Sequence, residues 1–320
     1  MLKFIIKRIF RAFASVFVLL SVIFALFRMM PADPTTLLLS GSVTEEERQA
    51  LMESFGLTKP LHEQYMIFIV NSFQGDFGVS FFYQEPVFDI IIPRLYNTLI
   101  IVVPGITVIL LSAYLLGSYI GWQKGSQNDK LISYIQLAFR SVPHFVLGLV
   151  FLAIFSHWLE LTPTSGISPI GYEAQGPIDR IQTTMYYALL PFLVFTLHYL
   201  AESFLLMRGN IVGEKNKEYV RFLRLKGLKE RKIRSHASRN GLLPLITYAP
   251  TLILVSIGGM ILIEQVFSWP GIGELLISSV ISQDYPVAQA TFFIFGLVVI
   301  IANTIVDILY THFDPRIGVE

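Results

Sequence analysis

The sequence has no cysteine and few charged residues. The absence of cysteine excludes disulfides, thiol catalysis and thiolate metal sites. Charged residues make up only 15% of the 320 residues, whereas ordinary soluble domains carry about a quarter. No phosphate-binding loop of the form G-x-x-x-x-G-K-S/T is present, so the chain is expected not to hydrolyse nucleotide itself. The net charge of +1 gives no indication of a nucleic-acid partner, and no cofactor is expected.

Long uncharged runs are abundant instead. Hydrophobic residues make up 53% of the chain, and six apolar segments are about long enough to cross a bilayer, the first of them together with Ile9 and Phe10. They are residues 12–27, 95–123, 131–159, 181–207, 240–263 and 285–306. The first is interpreted as a retained helix, because no small-residue cleavage site follows it before Arg28. We therefore expect an all-α polytopic membrane protein with six transmembrane helices.

Basic residues are distributed unevenly among the loops. Segment 208–239 contains eleven Lys and Arg, whereas segment 264–284 contains none. Because basic loops stay in the cytoplasm, this asymmetry predicts that segment 208–239 and both termini are cytoplasmic. The expected organisation is an N-terminal arm and first helix over 1–27, an extracytoplasmic subdomain over 28–94, and a transmembrane domain over 95–320 with a cytoplasmic coupling loop at 208–241.

The cytoplasmic loop has a pattern beyond its charge. A short helix at its centre would place three basic side chains opposite three apolar ones. The basic side chains are Lys217, Arg221 and Arg224, and the apolar ones are Tyr219, Phe222 and Leu223. Gly227 tolerates the left-handed backbone that ends a helix, and Pro244 suits the first turn of the next one. The apolar side predicts docking into a groove on a partner; a solvated connector that only sets topology is the alternative.

Three ionisable residues lie near the cytoplasmic ends of predicted spans. Because charges inside a membrane usually pair, Arg140 is expected to form an intramembrane ion pair with Glu202 first and Asp307 second. Snorkelling to the interface and a substrate role are the alternatives. His198 is interpreted as a buried histidine with its hydrogen bonds satisfied, and no metal site is expected. The pair at 258–259, Gly-Gly, predicts close helix packing.

Several motifs, in order along essentially the whole chain, resemble one known family. YVRFLRLKGL at 219–228 followed by HASRNGLLP at 236–244 is similar to the cytoplasmic loop of the dipeptide/oligopeptide/nickel permeases, which are membrane subunits of binding-protein-dependent ABC importers. The other matching motifs are MPADP at 30–34, FGLTKPLHEQY at 55–65, GDFGVS at 75–80, SVPHFVLGL at 141–149, GGMILIEQVFSWPGIGELL at 258–276, DYPVAQA at 284–290 and VDILYTHFDPRI at 306–317.

The resemblance implies a type I ABC importer permease (MetI-like) fold with an extracytoplasmic insertion after the first helix. The implied partners are a homologous second permease forming a heterodimer, two cytoplasmic ABC ATPases, an extracytoplasmic binding protein and the lipid of a prokaryotic inner membrane. The chain alone is expected not to be an enzyme. The implied ATPase-coupling residues are Glu218, Tyr219, Arg221, Phe222, Leu223, Arg224, Gly227 and Leu228, with Gly227 and Pro244 as the hinge.

The cargo implied by the resemblance is a short peptide, with nickel or a metal chelate as the alternative inside the family. Outside the family, a secondary transporter or channel would also explain the apolar segments. Such a protein would leave the basic two-helix loop without a role. A membrane-embedded enzyme would need a catalytic grouping inside the spans, and no H-E-x-x-H motif, paired aspartates or Ser–His grouping occurs there.

Overall fold

The computed structural model describes residues 2–29 and 59–313, with side chains described for 6–29 and 59–304. Within these ranges every regular element is a helix, apart from an isolated antiparallel bridge between Val79 and Pro86. The helices are α1 (Leu2–Met29), α2 (Leu61–Gln74), α3 (Val87–Trp122), α4 (Gln127–Ser141), α5 (His144–Phe151), α6 (Pro177–Lys215), α7 (Glu218–Leu225), α8 (Glu230–Phe267), α9 (Ile272–Ile281) and α10 (Tyr285–Phe313). A π-helix over Leu152–Trp158 continues α5. The motif at 30–34 lies outside the described residues.

Five helices are long and apolar enough to cross a membrane. They are Ile6–Met29 of α1, α3, α6, α8 and Tyr285–Thr304 of α10. Helix α4, taken together with α5 and its π-helix, meets the same criterion, but these two parts are bent by 101° relative to each other. If this bent pair is counted as one span, the total is six. The predicted all-α membrane fold is confirmed, and the third predicted span differs from a straight helix.

Pro143 explains the bend between α4 and α5. A proline has no N–H to donate and favours an extended conformation for the residue before it; Val142 accordingly has φ −91° and ψ 126°. The carbonyl of Phe139 thereby loses its helical donor, and His198 on α6 lies close enough to the backbone of Phe139 and Val142 to interact with it electrostatically. The interpretation of His198 as fully satisfied is wrong in part, because its Nδ1 has no partner among the described residues.

The described residues up to Asn97 and from Gly271 onward form one compact unit. In this unit α2 packs along α1, with the rings of Phe13 and Phe73 stacked at 5.9 Å between centroids. A buried cluster then joins these two helices to α10; its members are Leu20, Ile23, Ile69 and Phe293. Part of the predicted subdomain 28–94 therefore packs directly against the first membrane helix.

A buried carboxylate fixes the loop between α2 and α3. Asp284 is 1% exposed and accepts hydrogen bonds from the Ser80 hydroxyl and from the backbone N–H groups of Phe81 (3.1 Å) and Phe82 (3.2 Å). The ring of Phe82 points outward and is 69% exposed. Two motifs that are far apart in the sequence, at 75–80 and 284–290, thus meet in one hydrogen-bonded turn.

Residues 98–270 form the second unit. Its core includes fully buried side chains of α6, namely Phe195, Phe204, Met207 and Ile211. Glycine lets α3 approach α6 closely, because a Cβ on Gly121 would lie 2.8 Å from the carbonyl oxygen of Arg208. Gly259 of α8 lies against the side chain of Tyr199 in the same way. The predicted close packing at 258–259 is confirmed for Gly259, whereas Gly258 faces open space.

The second helix of the predicted coupling loop starts earlier than expected. Helix α8 begins at Glu230 and continues past Pro244 and Pro250 to Phe267. The prediction that Pro244 occupies the first turn is therefore wrong. The helix starts where Lys229 adopts an extended backbone with φ −63° and ψ 137°. Glu230 then lies in the first turn, where the helix dipole favours an acidic side chain.

Candidate functional site

The predicted coupling loop at 208–241 folds as a short helix between two long ones. Helix α7 begins after Lys217, whose backbone is extended, and ends at Leu225. Gly227 follows with φ +73°; its N–H donates to the Arg224 carbonyl at 2.9 Å, and the Leu228 N–H donates to the Leu223 carbonyl at 3.3 Å. The left-handed glycine closes the helix, as predicted from the sequence.

One face of α7 packs against the chain's own core. Val220 is fully buried, and Tyr219, Leu223 and Leu228 pack against the core of the second unit. The prediction that Tyr219 and Leu223 join Phe222 in one partner-facing surface is therefore wrong. The helix is rotated so that Val220 stands at the centre of its inward side, and this places Tyr219 and Leu223 beside it.

The opposite face of α7 is exposed and partly apolar. Phe222 is 55% exposed and Leu225 is 82% exposed, and Glu218 and Arg221 are exposed beside them. The ammonium group of Lys226 lies 4.6 Å from the centroid of the Phe222 ring, a favourable cation–π distance. We call Glu218, Arg221, Phe222 and Leu225 the outer face of α7.

Glu214 fixes the start of α7 to the end of α6. Its carboxylate is 8% exposed and accepts a hydrogen bond from the Tyr219 hydroxyl at 2.6 Å and another from the Lys217 ammonium. Burial, together with this bond to Glu214, raises the pKa of Tyr219 to about 12. The phenol therefore keeps its proton at neutral pH and remains a donor to the carboxylate.

Four side chains, Arg224, Trp122, Lys215 and Glu230, connect the end of α7 with three long helices, α3, α6 and α8, and we call them the Trp122 clamp. The Glu230 carboxylate accepts hydrogen bonds from the Trp122 indole N–H at 3.1 Å and from Arg224 Nε at 2.8 Å. Lys215 donates to the Trp122 carbonyl at 2.6 Å. The cationic groups of Arg224 and Lys215 each lie 5.6 Å from the Trp122 ring centroid. Arg224, one of the implied ATPase-coupling residues, is thus bound to Glu230 of its own chain, and its side chain is 40% exposed.

Two intramembrane or near-membrane ion pairs accompany the loop. Arg208 of α6 binds Asp129 of α4 through two hydrogen bonds of 2.5 and 2.8 Å. One guanidinium nitrogen of Arg140 lies 3.8 Å from Glu202 Oε1. The structure thus brings together the first predicted pair, while the side chain of Asp307 lies outside the described residues. No group of three potential metal ligands occurs among the described residues.

Comparison with known proteins identifies the class of this chain. Residues 113–319 match the family described as binding-protein-dependent transport system inner membrane component, and residues 1–102 match the N-terminal region of such membrane components. The chain belongs to this family. It is therefore a multi-pass permease component of an ABC importer, as the sequence motifs indicated.

Named relatives match the permease from end to end. The oligopeptide transport system permease protein AppB of Bacillus subtilis (strain 168) is 32% identical over 319 residues, which covers 99% of both chains. The glutathione transport system permease protein GsiC of Escherichia coli (strain K12) is 30% identical over 318 residues, again 99% of both. A putative peptide permease protein of Brucella ovis is 32% identical over 323 residues, 100% of both.

The sequence analysis of this permease did not predict most of the contacts of the Trp122 clamp. Trp122 ends a long apolar run, a position where an aromatic side chain at the membrane interface is common, but nothing in the sequence connects it with Glu230. Lys215 looked like one of many basic residues of the predicted coupling loop at 208–241. The exposed Leu225 could have been found, because the helical wheel places it beside Arg221 and away from Val220.

Proposed function

We propose that this permease forms half of the translocation pathway of an ATP-driven importer for short peptides. The named relatives, which carry oligopeptide, glutathione and peptide transport in their names, support this cargo. In the proposed complex the chain pairs with a homologous second permease, two cytoplasmic ABC ATPases bind the loops, and an extracytoplasmic binding protein delivers the peptide. Both termini lie in the cytoplasm.

The outer face of α7 is the proposed docking surface for an ATPase. The observation that carries this proposal is the exposure of Phe222 and Leu225 on a helix whose other side is packed on the permease core. Exposed large apolar side chains on a charged cytoplasmic loop suit a groove on a partner. Burying each of them contributes about 1.5–3 kcal/mol before association costs are subtracted.

The Trp122 clamp is the proposed route by which movement of the ATPases reaches the membrane. Closure of two ATPases would displace α7 as a rigid body. Because Glu230 bonds to both Trp122 and Arg224, that displacement would be transmitted to the ends of α3 and α8 together. Gly227 supplies the turn between α7 and α8, and it alone of the two predicted hinge residues lies at a break in the helices.

The experiment that tests this function compares two Phe→Asp variants in the reassembled complex. Phe222→Asp places a charge in the docking surface and is expected to lower ATPase co-purification at least tenfold, since a desolvated unpaired charge costs several kcal/mol. Peptide-dependent import should fall with it. Phe82→Asp is the matched control, because Phe82 is exposed in the loop between α2 and α3 and should leave co-purification unchanged.

Two outcomes would contradict the proposal. Normal co-purification and import by the Phe222→Asp complex would show that α7 does not dock the ATPase. Failure of the unmodified complex to import any labelled peptide, while it imports a metal chelate, would show that the cargo is different. The first outcome concerns the docking surface and the second concerns the substrate.

A further inference from the structure

The Arg140–Glu202 pair differs from the other ion pair of α4 and α6. Arg208 and Asp129 form two short hydrogen bonds, and the Asp129 side chain is only 3% exposed. The side chains of Arg140 and Glu202 are 51% and 45% exposed, and their nearest charged atoms are 3.8 Å apart. Direct bonds between such groups are about 2.7–2.9 Å long. Both partners therefore keep hydrogen-bonding capacity for another group.

The position of this pair makes hydrocarbon a costly surrounding for both side chains. Glu202 lies within the apolar stretch 181–207 of α6, and Arg140 lies at the end of α4 next to the bend. Charged side chains inside a membrane face a bundle interior or a water-filled cavity, because exposure to hydrocarbon is costly. The half of each side chain that is exposed in the single chain must therefore meet water or polar groups in the assembled importer.

Other polar groups gather on the same side of α6. His198 lies one helical turn before Glu202, and its ring is 5.2 Å from that of His144 between centroids. The Tyr248 hydroxyl of α8 lies close enough to Glu202 to interact with its charge. Within the described residues, His144 Nε2 and His198 Nδ1 have no hydrogen-bond partner. Such a concentration of polar atoms in apolar helices is typical of a hydrated substrate pathway.

We propose that Arg140 and Glu202 line the translocation pathway and bind the charged ends of the cargo peptide. Glu202 would bind the ammonium end of a peptide and Arg140, whose planar guanidinium has donors for two oxygens, would bind the carboxylate end. Because the two side chains lie 3.8 Å apart, an extended peptide longer than about two residues would bind by one end at a time. Every free short peptide carries these two groups, so the site would serve cargo of any side-chain composition. This inference rests on the proposed peptide-import function.

The first test uses the fact that the chain has no cysteine. Single variants Arg140→Cys and Glu202→Cys are reacted, in the complete complex in membranes, with a charged thiol reagent that requires water. The matched controls are Ile135→Cys on α4 and Leu189→Cys on α6; both positions are exposed in the single chain and lie about 140° around the same helices from the charged residues. We expect the first two thiols to react at least tenfold faster than the controls.

Equal, slow labelling at all four positions would overturn the proposal, because it would mean that lipid or a partner subunit covers the pair. Labelling does not depend on which cargo the importer carries. Its failure can therefore be distinguished from a failure of the proposed function, which is measured by peptide import into vesicles by the unmodified complex.

The second test separates cargo binding from a structural role. Glu202→Gln and Arg140→Gln each remove one charge and keep the side-chain size close to the original. If the charges bind the peptide ends, import should slow about tenfold for each variant, as expected for the loss of a charge-assisted hydrogen bond. ATP hydrolysis stimulated by the binding protein should continue. Unchanged import, or equal loss of import and of ATPase co-purification, would overturn the proposal.

Discussion

At the scale of single residues, Gly227 occupies a backbone conformation that side chains disfavour. Its φ is +73°, and a Cβ placed there would meet no other atom within 4 Å. Gly227→Ala should therefore destabilise the closed end of α7 by about 1–2 kcal/mol through backbone strain alone. Hydrogen exchange of the α7 amides in the purified complex measures this effect, and exchange should become faster.

Gly213 provides the matched control for this substitution. It lies inside α6, and a Cβ there also meets nothing within 4 Å. Gly213→Ala should be neutral or stabilising by up to about 1 kcal/mol, because alanine is the better helix former. The explanation by backbone strain fails if both alanine variants change the exchange of α7 equally.

The orientation of α7 shows what residue patterns alone leave undecided. The wheel separated Tyr219, Phe222 and Leu223 from the basic residues, but an eight-residue helix can present that apolar arc inward or outward. In the structure the inward side is set by distant groups: Glu214 holds the Tyr219 hydroxyl, and the core accepts Val220. The helical periodicity of the local sequence does not specify such long-range contacts. Phe222 therefore lies on the exposed side of α7, whereas Tyr219 and Leu223 pack against the core.

At the scale of elements, the Trp122 clamp connects α7 with the ends of α3 and α8. Glu230→Gln weakens both charge-assisted bonds of the carboxylate, and Trp122→Phe removes the indole donor. Neither residue belongs to the outer face of α7, so the ATPase should still co-purify and hydrolyse ATP. Peptide import per ATP hydrolysed should fall several-fold in both variants.

A double variant tests whether the two clamp residues act together. Because Trp122 and Glu230 share one hydrogen bond, the loss in Glu230→Gln/Trp122→Phe should be smaller than the sum of the two single losses. Strictly additive losses would contradict a shared role in transmission. Loss of ATPase binding in the single variants would show instead that the clamp only supports the docking surface.

The third span shows how an element can be located correctly while its shape is missed. Its apolar composition predicted a crossing segment at 131–159, and helices do cover this stretch. The sequence also contains Pro143, which predicts a break, but it does not predict the 101° angle or that His198 of α6 lies close to the backbone of Phe139 and Val142 at the bend. His198 is brought there by the packing of α4 on α6, which the sequence does not specify locally.

At the scale of the whole molecule, the family and the all-α membrane fold were predictable because both depend on long, redundant signals. The six predicted spans compare with five among the described residues, or with six if the bent pair is one span. A long apolar run is recognised even when its boundaries are assigned wrongly by several residues, and the matches to the family extend from residue 1 to residue 319. The internal division differs from the predicted one. One compact unit contains the described residues up to 97 together with those from 271 onward, and the other contains residues 98–270. The order of the helices in the sequence does not show which of them pack together, so the sequence did not predict this division.

The sidedness of the membrane helices is the last prediction. The excess of Lys and Arg in segment 208–239, compared with none in 264–284, places the first inside and the second outside. Single cysteines at Asn128 and Lys217, which are exposed, should react with an impermeant maleimide in right-side-out vesicles only after permeabilisation. Cysteines at Ala174 and Ile281, also exposed, should react at once. Immediate labelling at Lys217→Cys would show that the loop lies on the outer side of the membrane. Helix α7 would then be out of reach of any cytoplasmic ATPase, and the proposed coupling would have no basis.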